Sequence, residues 1–470
     1  MDFRQRLAEI IEEKRDKLIQ VSDNLWSYAE LGFQEDKSAR VLSDALEEEG
    51  FTVERGVGNI DTAFIGSFGS GKPVIAFLGE FDALSGLSQS GGVPEYNPVE
   101  MNGNGHGCGH NLLGTGSLAA AMALRYYMEE NNIEGTVRYY GCPGEEIGGG
   151  KTFMVREGLF DDVDVAFTWH PGTRNSVMST STLACYEVYF KFKGKSAHAA
   201  SSPHLGRSAL DAIELMNVGV NYLREHIIPE ARVHYAVTNS GGISPNVVQS
   251  ESEVLYFVRA PRVSQTEEVY QRICDVARGA ALMTGTEVEI DFASALSDVL
   301  PNTTLEKMMY DNFVELGVPQ HDETDVEFAE KIRETISEAD KNSEVKSNKG
   351  LAGKALSDLI DPFVPANGMM PGSTDVGDVS WIIPTAQCMT ACESLGTELH
   401  TWQVVATGTT SVAHKGMLHA GKVMASTAMD VLNHPEVIEK AKAELVERQD
   451  GEQYVSPLPP ELKEYTARIY

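Results

Sequence analysis

Apolar positions along this chain recur with two different periods. From Phe3 to Leu31 they follow the stripe of one long amphipathic helix, and Lys37–Glu49 repeats the pattern. Short uninterrupted apolar runs follow at Thr62–Phe68, Pro73–Gly79, Thr136–Gly141 and Val163–Trp169. Helical patterns lie between them, at Leu112–Glu130 and Lys151–Glu157. Strands alternating with helices predict an α/β fold, a mainly parallel sheet flanked by helices on both faces. In such sheets ligands bind beyond the carboxyl ends of the strands. Polar groups stand at those places: Glu80-Phe81-Asp82 after Val74–Leu78, Glu145-Glu146 after Val137–Gly141, and His170 after Val165–Trp169.

The texture changes near residue 184. Cys185–Phe192 alternates apolar and polar positions, as a half-buried antiparallel strand does. A helix (206–228), two strands (233–238 and 253–259), a helix (265–283) and a strand (287–293) follow. This β-α-β-β-α-β order predicts a compact, ferredoxin-like α+β module inserted into the larger domain. Pro301-Asn302-Thr303-Thr304 then opens a helix with an N-cap before Leu305, and the chain re-enters the first domain. The expected division is 1–183 together with 298–470, and 184–297. Asp322 to Lys354 reads as an exposed, strongly charged helical excursion with a flexible end. The final segment, with Pro457, Pro459 and Pro460, reads as a trailing arm. There is no internal repeat.

Length and charge narrow the function. A chain of 470 residues needs at least two domains. A formal net charge of −31 argues against nucleic acid and anionic membranes as partners, because both require a basic surface. A small anionic substrate needs only a local positive focus. No apolar run reaches the roughly 18 residues of a spanning helix, and the first residues lack a signal core, so a cytoplasmic protein is expected. Six cysteines in such a chain do not form a disulfide framework; Cys388 and Cys392 read as buried thiols in an apolar strand.

Five segments carry candidate chemistry. Gly105–Asn111 sets Cys108 and two imidazoles among glycines, whose small size lets neighbouring side chains converge. A thiolate and an imidazole suit zinc-like ions. Cys142-Pro143-Gly144-Glu145-Glu146 puts two carboxylates on a turn, where one can bind metal and the other act as a base. Trp169-His170-Pro171 and Leu399-His400-Thr401-Trp402 add two imidazoles. His198, among the small residues of Gly194–Ala200, is a hydrogen-bond donor open to solvent. Each has an ordinary structural alternative when taken alone. At the predicted active edge they supply together one thiolate, three imidazoles and two carboxylates, enough for a centre of two metal ions. Arg259 is a candidate for a substrate carboxylate, with a structural ion pair as the alternative. Asn246 is a candidate to assist an oxyanion, with a turn asparagine as the alternative.

In order and spacing these motifs resemble metallopeptidase family twenty, which contains aminoacylases, glutamate-releasing carboxypeptidases and auxin-conjugate amidohydrolases. The resemblance covers nearly the whole chain. Gly79–Leu84 is similar to the family's first acidic motif, His106–Asn111 to its cysteine-histidine motif and Pro143–Glu146 to its paired-glutamate motif. Gly194–Pro203 is similar to the opening of its lid domain, and Gly372-Ser373-Thr374-Asp375 and Leu399-His400 complete the set. Asn111, Cys142-Pro143-Gly144 and His400-Thr401-Trp402-Gln403 depart from most members and resemble the branch acting on aminobenzoyl-glutamate.

The resemblance implies a zinc-exopeptidase-like catalytic domain with a lid and dimerisation domain. It implies two divalent ions, Zn or Mn, held by Cys108 as the bridging ligand and by His110, Glu146, His170 and His400. Glu145 matches the general base, Asp82 the acid that orients the site, and His198 the lid histidine that stabilises the oxyanion. His106 is left either to support the ligands from behind or with a structural role. The implied reaction is hydrolysis of the amide of an N-acyl amino acid, a small-molecule substrate. The implied assembly is a homodimer through the lid, or a heteromer with a related chain. The competing readings are a dipeptidase or general N-acyl amino acid amidohydrolase, and a non-catalytic scaffold within a heteromeric hydrolase.

Overall fold

The computed structural model describes residues 2–366 and 368–462, apart from the side chains of residues 344, 345 and 347. Its strands are, in chain order, β1 (Thr52–Arg55), β2 (Phe64–Ser70), β3 (Val74–Glu80), β4 (Gly135–Cys142), β5 (Val165–Gly172), β6 (Ser176–Met178), β7 (Ala184–Lys193), β8 (Arg232–Asn239), β9 (Glu251–Ala260), β10 (Glu287–Leu296) and β11 (Thr385–Ala391).

The chain separates into two compact units, Met1–Thr180 with Leu300–Gly368 and Val379–Tyr454, and Ser181–Val299 with Met369–Asp378 and Val455–Tyr470. The first unit holds a seven-stranded sheet in the order β1-β2-β4-β3-β5-β11-β6. Its centre is parallel, β4 with β3, β3 with β5 and β5 with β11, while β1, β2 and β6 pair antiparallel at the margins. All seven residues of β3 are buried, as expected for a central strand covered on both faces. The helix His110–Asn131 packs on β3, β4 and β5 and against the helix Ser411–Asn433, which itself reaches β11 and β5; Leu112 through Leu124 are buried without interruption. A helix apolar on every side belongs in a core.

The second unit holds four antiparallel strands in the order β10-β7-β9-β8, with the helices Ala209–Leu223 and Val263–Thr284 packed against them. This strand order is the ferredoxin-like arrangement that the element order predicts. In β9 buried positions alternate with half-exposed ones, the period of a strand with one covered face.

Some local expectations are corrected. The first amphipathic stretch is two helices, Phe3–Glu13 and Arg15–Tyr28. They join at Lys14, whose ammonium is drawn to Glu49 Oε2 at 2.9 Å. The excursion after Asp322 is not simply solvated. Ala329, Ile332 and Leu351 are fully buried, and Ile332 and Ile336 pack with Ala406, Phe328 and Trp402. Most of its charges cover the outer faces of its helices, but Asp325 is buried and paired with Lys415. The final proline-rich segment is described as far as Leu462, with Leu458 buried; the rest of that arm lies outside the described residues. Among the described residues no helix is long and apolar enough to cross a membrane.

Candidate metal centre

The candidate side chains of the first unit meet at the carboxyl ends of the parallel strands. β3 ends at Glu80 and runs on into Asp82, β4 ends at Cys142 ahead of Glu145 and Glu146, and β5 carries His170 near its end. Cys108 and His110 stand at the start of the helix His110–Asn131, where Gly109 adopts a left-handed conformation (φ 74°) that costs glycine little. His400 lies in the loop after β11. Its N–H donates to Gly107 O at 2.8 Å, and its own φ is 61°. A non-glycine residue in this region is held there by its surroundings.

Two triads result. Cys108, His110 and His170 bring their ligand atoms within 4.8 Å of one another, and so do Cys108, Glu146 and His400. Cys108 belongs to both. Its Sγ is 3.4 Å from His170 Nε2, and Glu146 Oε1 is 3.5 Å from His400 Nε2. Metal bonds of about 2.0–2.3 Å at tetrahedral angles separate neighbouring ligand atoms by about 3.3–3.8 Å, so the spacing fits a shared ion. Among the described residues His110 Nε2 and Glu146 Oε1 are buried without a hydrogen-bond partner. Buried polar atoms are seldom left so. A thiolate, imidazoles and a carboxylate make a donor set for divalent metal.

Asp82 orders the centre from behind. Its Oδ1 accepts from His110 Nδ1 at 2.8 Å, and its Oδ2 accepts the Glu146 N–H at 2.9 Å. The first bond fixes the imidazole tautomer and leaves Nε2 facing the triad.

Two buried groups that sequence reasoning did not assign stand beside these. Glu80 Oε1 meets Lys151 Nζ at 2.6 Å, and Glu80 Oε2 lies 3.4 Å from His110 Nε2. Glu80, His110 and Glu145 form a third close group. Glu80 was visible as part of Glu80-Phe81-Asp82, whereas Lys151 carried no signal, being one position of a helical pattern.

Burial alone would push the Glu80 carboxyl up, but the Lys151 ammonium and the charge of His110 together hold the group below the usual carboxylate range. Burial pushes the Cys108 thiol well up, and the Glu146 carboxylate adds to the shift. Burial works against a charged His110, yet Cys108 where it is a thiolate, and Asp82, raise it well above the ordinary imidazole value. His170 is lowered by burial and by His110. His106 is pushed down to about 3, chiefly by burial; its Nε2 bonds Leu25 O at 3.0 Å and it joins neither triad.

The other candidates lie in the second unit. His198 is exposed, and its Nδ1 accepts from Ala200 N and Ser201 N, both at 3.2 Å. It forms a bridge with Val247, and Ala199 N donates to Asn246 O at 2.9 Å, so the His198 and Asn246 segments run side by side. Arg259 on β9 donates to Ser373 Oγ at 2.6 Å and lies over the Phe257 ring at 5.5 Å.

Comparison with known proteins decides the lineage. Residues 76–402 match the profile of Peptidase family M20/M25/M40. The chain belongs to that family. Over 465 residues it is 49% identical to one of the named subunits of the p-aminobenzoyl-glutamate hydrolase of Escherichia coli (strain K12), covering 96% of this chain and 97% of that one. Over 470 residues it is 30% identical to the Xaa-Arg dipeptidase of Mus musculus, covering 97% and 94%. A solved structure of a dinuclear metal-binding peptidase of the M20 family from Bacillus subtilis superposes with a TM-score of 0.58 at 19% identity, covering 90% of this chain and 99% of that one, and shows the shared fold. As a member of the M20 family the chain is a metal-binding hydrolase that acts on amide bonds.

Proposed function

We propose that this protein hydrolyses the amide bond of p-aminobenzoyl-glutamate or a similar acyl conjugate of an amino acid, with Glu145 as general base. The observation that carries the reading is the pair of triads sharing Cys108, with Glu145 beside them. Identity of 49% over nearly the full length with the Escherichia coli p-aminobenzoyl-glutamate hydrolase chain supports the substrate.

In this reading two divalent ions are held, one by Cys108, His110 and His170 and the other by Cys108, Glu146 and His400. The thiolate favours zinc on softness grounds, and manganese is the other candidate. Bound there, such ions polarise the amide carbonyl and make a nearby water acidic. Glu145, half-buried on the turn after β4, takes that water's proton and returns it to the departing amine. Asp82 keeps His110 and the Glu146 backbone in place while it does so.

His198 is assigned the oxyanion, with Asn246 assisting, and Arg259 a substrate carboxylate. His198 and Asn246 lie on adjacent segments, which supports a joint role. Arg259 bonds the neutral Ser373 hydroxyl, which leaves its charge for an external carboxylate. A functional assembly with a related chain is also proposed. The Escherichia coli relative is named as one of the subunits of its enzyme, and a homolog of a differently lettered subunit, from Haemophilus influenzae, is 25% identical over 287 residues.

The test is a substrate panel with the purified chain under zinc and under manganese: p-aminobenzoyl-glutamate, N-acetyl amino acids and dipeptides ending in arginine. A higher kcat/KM on p-aminobenzoyl-glutamate is expected. Preference for the dipeptides would favour the reading suggested by the mouse relative, and activity only with an added partner chain would establish the heteromer. Glu145→Ala should keep its metal and lose about 10²–10⁴-fold in turnover. A fully active Glu145→Ala would sink the mechanism.

A further inference from the structure

Glu35 is a fully buried carboxyl group that the reaction as described does not use. Its Oε1 accepts the Gly144 N–H at 2.8 Å, and its Oε2 accepts from the Thr62 hydroxyl at 3.0 Å. Gly144 is the residue before Glu145. It sits at φ 66°, and a Cβ built on it would fall 2.3 Å from the Phe33 ring. Gly32 closes the same contact from the other side: a Cβ there would fall 2.6 Å from Ile147 and 2.9 Å from Gly144 Cα. The turn is tied further along as well, since the N–H groups of Gly148 and Gly149 donate to Gly144 O at 3.0 and 2.8 Å.

The segment holding Glu35 also reaches the strand end beyond β3. Leu31 bridges Ala83, and the Ala83 N–H donates to Glu30 O at 2.8 Å. Ala83 follows Asp82, the residue that holds both His110 and the Glu146 N–H. One six-residue segment, Glu30–Glu35, therefore grips the two loops that aim the paired glutamates. It lies ahead of residues 76–402, the span matched to the family profile.

We infer that Glu35 is a positioning residue for Glu145: with Phe33 it clamps Gly144 in its left-handed conformation, so that Glu145 and Glu146 point to different tasks. This rests on the reading of Glu145 as general base. The physical content is reach. A rigidly held acceptor fixes where the turn begins, and displacing a reacting group by about 1 Å costs on the order of 10²-fold in rate. What the clamp requires is an acceptor at the right distance. Burial and the charge of Asp82 push the Glu35 carboxyl up to about 8, which agrees with a role that does not depend on its charge.

The test compares three variants of the full chain, each loaded with zinc and assayed on p-aminobenzoyl-glutamate, with metal content and melting temperature measured alongside. Glu35→Gln keeps the length and the acceptor, and its amide can donate to Thr62, so kcat should stay within about 3-fold of wild type. Glu35→Asp falls short by about one C–C bond, 1.5 Å, and should lose about 10–100-fold in kcat with KM and metal content nearly unchanged. Glu35→Ala should behave as Glu35→Asp does.

Wild-type kcat in Glu35→Asp and Glu35→Ala overturns the inference. So does loss of metal, melting temperature and activity together in those two variants, which marks a purely structural residue. If both prove too unstable to purify, Glu35→Gln decides alone, because a 10-fold or greater loss of kcat there would show that charge is what matters. Glu145→Gln is assayed in parallel. If it stays active the general-base reading fails, whatever Glu35 does; if it is inactive while Glu35→Asp is normal, only the clamp fails.

Discussion

Asp82 Oδ1 receives the Nδ1 proton of His110 across 2.8 Å, and 28 residues separate the two along the chain. The bond settles which imidazole nitrogen faces the other ligand atoms. Because the second oxygen of Asp82 holds the Glu146 backbone, one buried carboxylate sets two of the candidate ligands. Asp82→Ala should weaken metal binding by about 10–100-fold. Competition with a chelator of known affinity measures this directly, and unchanged affinity would show that the bond does not organise the centre.

The sharing of Cys108 between the triads makes an asymmetric prediction. Cys108→Ala should lower the bound metal from about two ions per chain towards none, because both sets of ligands lose a member. His400→Ala touches only the triad with Glu146 and should leave about one. Elemental analysis of the two dialysed variants reads the difference. Equal metal content in both would argue against a bridging thiolate.

The Lys151–Glu80 pair is completely enclosed, so its two ends should behave as a unit. Removing one partner of a buried ion pair costs about 3–5 kcal/mol, whereas replacing both leaves no uncompensated charge. Lys151→Met alone should destabilise the protein strongly, and the double variant Glu80→Gln/Lys151→Met should be more stable than the sum of the single losses. Urea denaturation of the metal-free proteins tests this. Additive losses would mean that the pair is not coupled.

Stability should also fall towards alkaline pH through Glu306. Burial pushes this carboxyl up to about 7, although Ser179 and the Asn302 N–H bond to it. The folded protein thus holds the proton more tightly than the unfolded chain, whose carboxyl titrates near 4.5. The contribution is complete below that value and is lost as pH rises through about 7. Glu306→Gln should flatten the decline in melting temperature between about pH 4.5 and 7. A slope unchanged by the substitution would assign the dependence to another group.

Much of this was legible in the sequence because hydrophobic runs and punctuation are local. The runs before Glu80, Glu145 and His170 each end where a strand of the parallel sheet ends, and such ends are where α/β sheets bind ligands. The alternating pattern after residue 184 likewise predicted the antiparallel module. Charge misled for the excursion after Asp322, because polar composition does not reveal that a narrow stripe of Ala329, Ile332 and Ile336 is buried.

By itself the sequence determined which residue types were available to the centre and at which strand ends they would stand, since periodicity and motif spacing are properties of the chain alone. Tertiary structure decided how they meet: that Cys108 serves two triads, that Asp82 holds both His110 and Glu146, and that Lys151 and Glu35 belong to the same neighbourhood. The reason is distance along the chain. Glu35 and Gly144 are 109 residues apart, and no local pattern in either segment specifies the 2.8 Å bond between them.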